Sequence, residues 1–255
     1  MPLRRDGQTR KRWRYIGLFA PEVMLCAARA EVGPLGQAFW VIWDREGRRH
    51  DARTTLRPGS REVRMDGPNL EIDSPRLRAS LRLGDCEPIE SICPSGSSWA
   101  WTRKRAGMPI EGTVEVPGRR WEVSGRGVDD ESAGYHRRNT SWRWSAGVGS
   151  AADGRSVAWN LVEGVNDPPR NSERAIWVDG EPSEPAPVSF RGMEGIDFGG
   201  GGALDFDSES AHAHDENFLL VRSRYRHRFG SFSGSLGDVE LAEGLGVMEE
   251  HDAVW

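Results

Sequence analysis

Residues 76–83 read Arg-Leu-Arg-Ala-Ser-Leu-Arg-Leu, so that Leu77, Ala79, Leu81 and Leu83 oppose Arg76, Arg78, Ser80 and Arg82. Successive side chains of an extended chain point to opposite faces, and a period of two therefore describes a strand with one face on a core and one in water. The same pattern recurs on both sides. Over residues 23–32, Met24, Cys26, Ala28, Ala30 and Val32 share a face against Arg29 and Glu31, and Gly33-Pro34-Leu35-Gly36 turns the chain into residues 39–43, apolar on both faces. A polar break at Arg57-Pro58-Gly59-Ser60 precedes short runs around Val63 and Leu70. Residues 98–103, 113–116, 120–124, 140–146, 155–163, 175–179, 187–190 and 218–229 continue the series. No amphipathic helix of normal length interrupts it.

Many short strands punctuated by Gly, Pro, Asp and Ser predict an all-β, antiparallel fold of the sandwich or barrel kind with little helix. Pro117-Gly118 splits the chain into two parts with enough strands for a small barrel each, giving an N-terminal half at 1–118 and a C-terminal half at 119–255. A net charge of -5 argues against nucleic acid as the main partner. Eleven tryptophans against three tyrosines provide large rings that either fill β-cores or line a pocket. Cys26, Cys86 and Cys93 are odd in number and lack CxxC spacing, which suggests neither a disulfide framework nor a cysteine zinc site and fits a cytoplasmic location. No stretch approaches the roughly 20 apolar residues of a membrane span. Gly199–Gly202 lacks the helix and Lys-Ser/Thr pair of a phosphate loop, and His212-Ala213-His214-Asp215 lacks a matched third ligand, so no cofactor and no metal are expected. Nothing in the sequence sets the oligomeric state.

Candidate functional residues crowd the stretch Gly125–Gly149. If residues 140–146 form a strand, Trp142 and Trp144 share a face; they either fill a core or wall a pocket with Tyr135, His136 and Arg138 at its mouth. Two carboxylates stand in line with apolar side chains: Glu163 after Val157, Trp159 and Leu161, and Glu243 between Leu241 and Leu245. A carboxyl on an apolar face must be paired, hydrogen-bonded or protonated, and burial that raises its pKa makes it a general acid. The other reading of each is a strand-end glutamate that reaches solvent or an arginine. From Arg222 to Arg228 every second residue is arginine, an outer face that leaves Tyr225 and His227 pointing inward.

Several longer motifs carry a family resemblance: KRWRY at 11–15, the block 127–149, WNLVEGVNDPP at 159–169, SERAIWVDGEP at 172–182, and the segments 219–236 and 241–255. Together they resemble the bacterial domain of unknown function 2804 (DUF2804). That family is in turn similar to tandem lipocalin-like proteins, a group with carotenoid hydratases, attachment-locus H proteins and fungal Diels-Alderases. The resemblance implies two lipocalin-like halves, which in eight-stranded form can enclose one small ligand. Arg14 stands where the family usually has an acidic residue, so no role of that acid carries over. Family members also commonly begin earlier, which leads to the expectation of either a late start at Met1 or a missing first strand, with an unpaired sheet edge as the consequence.

The expected function is binding of an apolar or unsaturated small molecule, with acid-assisted hydration, isomerisation or cyclisation as the enzymatic version. Glu163 or Glu243 would be the acid, Trp142, Trp144 and Trp159 the aromatic wall, and Tyr135, His136, Arg138, Tyr225 and His227 the remaining ligand-binding groups. A non-catalytic lipid or metabolite carrier, or a scaffold with a polar junction between halves, are the alternatives.

Overall fold

Each amphipathic strand has one face to remove from water, and the chain meets this demand with two antiparallel sheets and no α-helix among the described residues. The computed structural model describes residues 1–56, 61–218 and 221–254. The expected polar break at Arg57–Ser60, and Leu219 and Leu220 within the expected run 218–229, lie outside the described residues.

A small ribbon of β1 (Arg4–Arg5) and β2 (Gln8–Thr9) precedes the first sheet. That sheet contains β3 (Lys11–Phe19), β4 (Val23–Val32), β5 (Leu35–Asp44), β6 (Arg49–Thr55), β7 (Val63–Asp66), β8 (Asn69–Ser74), β9 (Leu77–Leu83), β10 (Ile89–Ser95), β11 (Ser98–Val116) and β12 (Arg119–Gly134). The second contains β13 (Asn139–Ala151), β14 (Ser156–Glu163), β15 (Ala175–Val178), β16 (Glu181–Ser183), β17 (Val188–Phe190), β18 (Gly195–Phe198), β19 (Ala203–Phe218), β20 (Val221–Leu236) and β21 (Val239–Val254). Leu77–Leu83 alternates buried and exposed at every residue, as its sequence predicts.

The two sheets are wired alike. The first runs β6-β5-β4-β3-β12-β11-β9-β8-β7, with β10 alongside β11, and the second runs β16-β15-β14-β13-β21-β20-β19-β18-β17. In each, the last strand returns to pair with the first. Each sheet curls, so that β7 comes against β4 and β5 and β17 against β14. Side chains bridge these open edges: Arg53 on β6 binds Glu62 just before β7 through two hydrogen bonds of 2.9 Å, and Glu163 on β14 accepts the backbone N–H of Phe190 on β17 at 3.1 Å. The result is an all-β pair of lipocalin-like halves.

The structure differs from three expectations. Pro117 and Gly118 form the tip of the β11–β12 hairpin, and β12 pairs with β3 and β11, so the sheets part at residues 135–138 rather than at 118. The expected runs 98–103 and 113–116 are one strand of 19 residues, because Gly107 adds a bulge where the sequence shows a break. The expected unpaired edge is also absent from β3, which lies between β4 and β12.

Three apolar cores result. One lies within the first sheet, with Trp40, Leu81, Ile110 and Val114, and one within the second, with Trp159, Ile196, Leu204 and Phe232. The third fills the seam between sheets, where Phe19, Met24 and Val41 meet Val148, Phe229 and Val247. Burying each large apolar side chain contributes about 1.5–3 kcal/mol. The bulge at Gly107 assigns residues to cores: Ala106 faces the seam, whereas Met108 and Ile110 face the first core. A second bulge at Glu209 turns that carboxylate toward the first half, where Arg45 binds it at 2.7 Å through two nitrogens and Trp43 Nε1 donates at 3.1 Å.

Gly147 lies directly opposite Trp159 in the ladder, and a Cβ there would stand 2.2 Å from the indole and 2.7 Å from the Leu245 carbonyl. Overpacking of this kind costs about 1–3 kcal/mol. Gly147→Ala is accordingly expected to lower unfolding free energy by about 2 kcal/mol in chemical denaturation, and an unchanged midpoint would show that Trp159 has room to move.

Candidate functional site

The seam changes character along its length. Beyond Phe19, Val41 and Phe229 the strands that face each other carry Trp13, Tyr15, Lys104, Asp130 and Ser132 on the first sheet, and Trp142, Trp144, Tyr225, His227 and Glu249 on the second. Alternation positions them: Asp130 and Ser132 continue the face of Val128, and Glu249 continues that of Val247.

Glu249 is 8% exposed, and its carboxyl is held by two neutral donors. Trp142 Nε1 donates to Oε1 at 2.9 Å and the Tyr225 hydroxyl to Oε2 at 2.8 Å. No lysine or arginine among the described residues pairs with it. Burial raises its pKa to about 7, against the pull of those two hydrogen bonds and with help from the Asp130 charge. Around it, Trp142 packs on His251 at 4.4 Å and parallel to Trp13 at 6.2 Å, while Tyr225 meets Phe39 at 5.5 Å.

A second polar group adjoins the first. Lys104 Nζ lies 2.6 Å from Asp130 and 3.3 Å from Glu173, all three buried. Burial raises both carboxyls, Glu173 to about 7, while the lysine opposes the rise; the two acids in turn keep Lys104 protonated despite its own burial. Asn166 donates to Glu173 at 3.0 Å, and Trp13 lies beside Asp130 and helps oppose the rise of its carboxyl, which links this group through the indole to Trp142 and so to Glu249. His136 packs tilted against Trp13 at 4.8 Å and is held neutral, with a pKa near 3, by burial and by the charges of Lys11 and Lys104. His227 Nε2 meets the Tyr15 hydroxyl at 3.2 Å, and burial brings it to about 3 as well.

Five of the ten residues expected from sequence face this seam: His136, Trp142, Trp144, Tyr225 and His227. Five do not. Trp159 pairs with Gly147 and therefore shares the face of Ser145, to which it donates at 3.1 Å inside the second core, on the opposite side of the sheet from Trp144. The Tyr135 hydroxyl donates to the Pro2 carbonyl, and Arg138 is exposed. Glu163 is half-exposed, 3.6 Å from Arg143, and its role is to bridge the sheet edges. Glu243 is exposed and, among the described residues, accepts only from Ser150 at 3.3 Å. Its expected burial fails because Ala242 is an extra residue opposite the Ser150–Ala151 step, and this bulge puts Leu241 inside and Glu243 outside.

Sequence reasoning missed Lys104, Asp130, Glu173 and Glu249. Glu249 was within reach, since the face of Leu245 and Val247 simply continues to it. Arg14, where the resembled family carries an acid, binds Asp129 bidentately at 2.8 and 3.1 Å. Two clefts of about 300 and 410 Å³ lie elsewhere, one along Asp85, Cys86 and Trp177 and one along Trp43, Arg45 and Glu209. No group of three metal-ligating side chains gathers among the described residues, and Cys26, Cys86 and Cys93 form no disulfide. No helix is long and apolar enough to cross a membrane.

Solved structures share this architecture at low identity. An AttH protein from Nitrosomonas europaea is 11% identical with a TM-score of 0.59, covering 94% of this chain and 92% of that one. Kievitone hydratase from Nectria haematococca is 11% identical with a TM-score of 0.57, covering 96% and 88%. CghA is 9% identical with a TM-score of 0.54, also covering 96% and 88%, and a further structure contains it with Sch210972. No curated protein matches the sequence. The model of the domain of unknown function DUF2804 matches residues 50–255, most of the chain, and the chain belongs to that family.

Proposed function

We propose that the chain binds an apolar, unsaturated small molecule in the seam between its sheets and that Glu249 is the acid that protonates it. The observation that carries this reading is a glutamic acid buried among aromatic rings, held by neutral donors and poised near neutrality. A general acid works best with a pKa close to the operating pH. Its proton would pass to one carbon of a double bond and leave a cation on the other, beside the faces of Trp13 and Trp142, where ring quadrupoles favour positive charge. Addition of water with return of its proton to the carboxylate gives hydration; loss of a neighbouring proton to the carboxylate gives isomerisation; attack by a second double bond closes a ring and moves the cation, and loss of a proton beside it to the carboxylate completes cyclisation. Kievitone hydratase is by name a hydratase on the same fold. This reading moves the acid from Glu163 and Glu243, both solvent-facing, to Glu249, and keeps Trp142, Tyr225, His227 and His136 as ligand-facing groups.

The carrier and scaffold alternatives separate from it in one experiment. Native mass spectrometry of the purified protein should reveal a retained apolar ligand, and incubation in D₂O should place deuterium on its carbon skeleton. All three acid-assisted routes put a solvent-derived proton on carbon. Glu249→Gln should retain the ligand and lose the label. A ligand without label in the wild type would indicate a carrier, and no ligand at all a scaffold.

The pKa of Glu249 also fixes a stability trend. Its folded pKa lies above the unfolded one near 4.5, so the folded state holds the proton more tightly between pH 4.5 and about 7, and its contribution is full below this window and lost as pH rises through it. The loss is on the order of 3 kcal/mol. Melting temperature should therefore fall more steeply from pH 5 to pH 8 in the wild type than in Glu249→Gln; parallel curves would mean that the carboxyl titrates normally.

A further inference from the structure

Besides Asp130 Oδ1, which pairs with the Lys104 ammonium, four neutral buried side-chain atoms around the Lys104 group have no hydrogen-bond partner among the described residues: His136 Nδ1 and Nε2, Ser132 Oγ and Asn166 Oδ1. Their residues are 2%, 0% and 6% exposed. A polar group buried without a partner costs about 1–3 kcal/mol, so such a cluster marks a place where a hydrogen-bonding occupant belongs. Contacts tie each of these residues to the Lys104 group. Ser132 shares a strand face with Asp130, which Lys104 binds at 2.6 Å. Asn166 donates to Glu173, the other partner of Lys104. The His136 ring lies against Trp13 at 4.8 Å, and Trp13 adjoins Asp130.

We infer that the seam ligand carries a neutral group that both donates and accepts hydrogen bonds, a hydroxyl or an amide, and that His136, Ser132 and Asn166 receive it. This rests on the proposed binding of an apolar molecule between the sheets, and it adds a polar end to that molecule. The donor set decides the chemistry. A neutral imidazole offers one N–H and one lone pair, the serine hydroxyl either role, and the asparagine oxygen a further acceptor. Together they match a group with a proton and a lone pair. An anion would be drawn by Lys104 and Lys11 but would sit beside the carboxyl groups of Asp130 and Glu173, so the ammonium charge at this end already has its partners and a neutral group fits better. Trp13 spans the two regions, in contact with His136 on one side and Trp142 on the other, so the apolar body would run along it from the polar end toward Glu249.

The probes are 2-naphthol, naphthalene and 2-naphthoate, planar molecules that differ only in the polar end, titrated calorimetrically into the full chain at pH 7. The wild type should bind 2-naphthol about tenfold more tightly than naphthalene or 2-naphthoate, one hydrogen-bonded group being worth about that factor. His136→Phe should bind naphthalene at least as well and lose the preference for the alcohol. His136→Gln, which restores a donor and an acceptor, should recover part of it, and a cooperative melt of each variant shows that it has folded. Equal binding of 2-naphthol and naphthalene by the wild type would mean that these atoms hold water, and would overturn the inference while leaving the apolar seam intact. Tightest binding of 2-naphthoate would overturn it in favour of an anion site. Failure of all three to bind would remove the seam ligand, and the polar subsite with it.

Discussion

Two sheets of similar wiring could pack against each other through apolar side chains alone, yet the seam contains the ion group of Lys104, Asp130 and Glu173. Lys104 and Asp130 sit on paired strands of the first sheet, and Glu173 comes from the segment between β14 and β15 of the second. Desolvating these charges is expensive, and removing one partner of a buried ion pair costs about 3–5 kcal/mol. The group therefore tolerates only one relative placement of the halves. Trp13, Trp142 and Glu249 are organised around that placement, since each reaches its neighbour across the seam or along its edge. The Arg45–Glu209 contact fixes the halves at a separate point, so rotation of one sheet over the other is opposed at two places.

The seam differs from the two half-barrel interiors in composition. Within each half the core is apolar, with Trp40 in one and Trp159 in the other, and is closed at its edge by a side-chain bridge. The space between halves combines aromatic rings with groups whose protonation is shifted in opposite directions: the carboxyls of Glu173 and Glu249 upward, the imidazoles of His136, His227 and His251 downward. Burial causes both shifts, because it disfavours whichever form is charged. Neutral acids next to neutral bases suit proton transfer to a substrate without charge of its own.

Much of the fold was legible because a half-buried strand writes its two faces directly into the sequence. Leu77–Leu83 and the Arg222–Arg228 alternation, with Ser223, Tyr225 and His227 buried, follow their patterns residue by residue. The site was half legible. Alternation tells which residues share a face but not which of two cores the face looks toward, and so Trp159 was grouped with Trp142 and Trp144 although a sheet lies between them. Lys104 escaped because a lysine on an alternating strand reads as solvent-facing, and only the second sheet makes that face an interior. Glu243 was misread for a different reason: periodicity assumes an unbroken ladder, and the extra residue at Ala242 has no mark of its own in sequence.

That last feature bears on how such a chain diverges. At Gly107 one additional residue moves the even-numbered side chains from the seam, before it, to the first core, beyond it. Loss of that single codon would make Ala106 and Met108 direct neighbours on a regular strand, pointing to the opposite faces they already occupy, so both linings would survive. In this architecture a residue can enter or leave a strand at a bulge while the lining on either side of it is kept. Lineages can thus shift the written periodicity of a strand by indels and still conserve both of its faces.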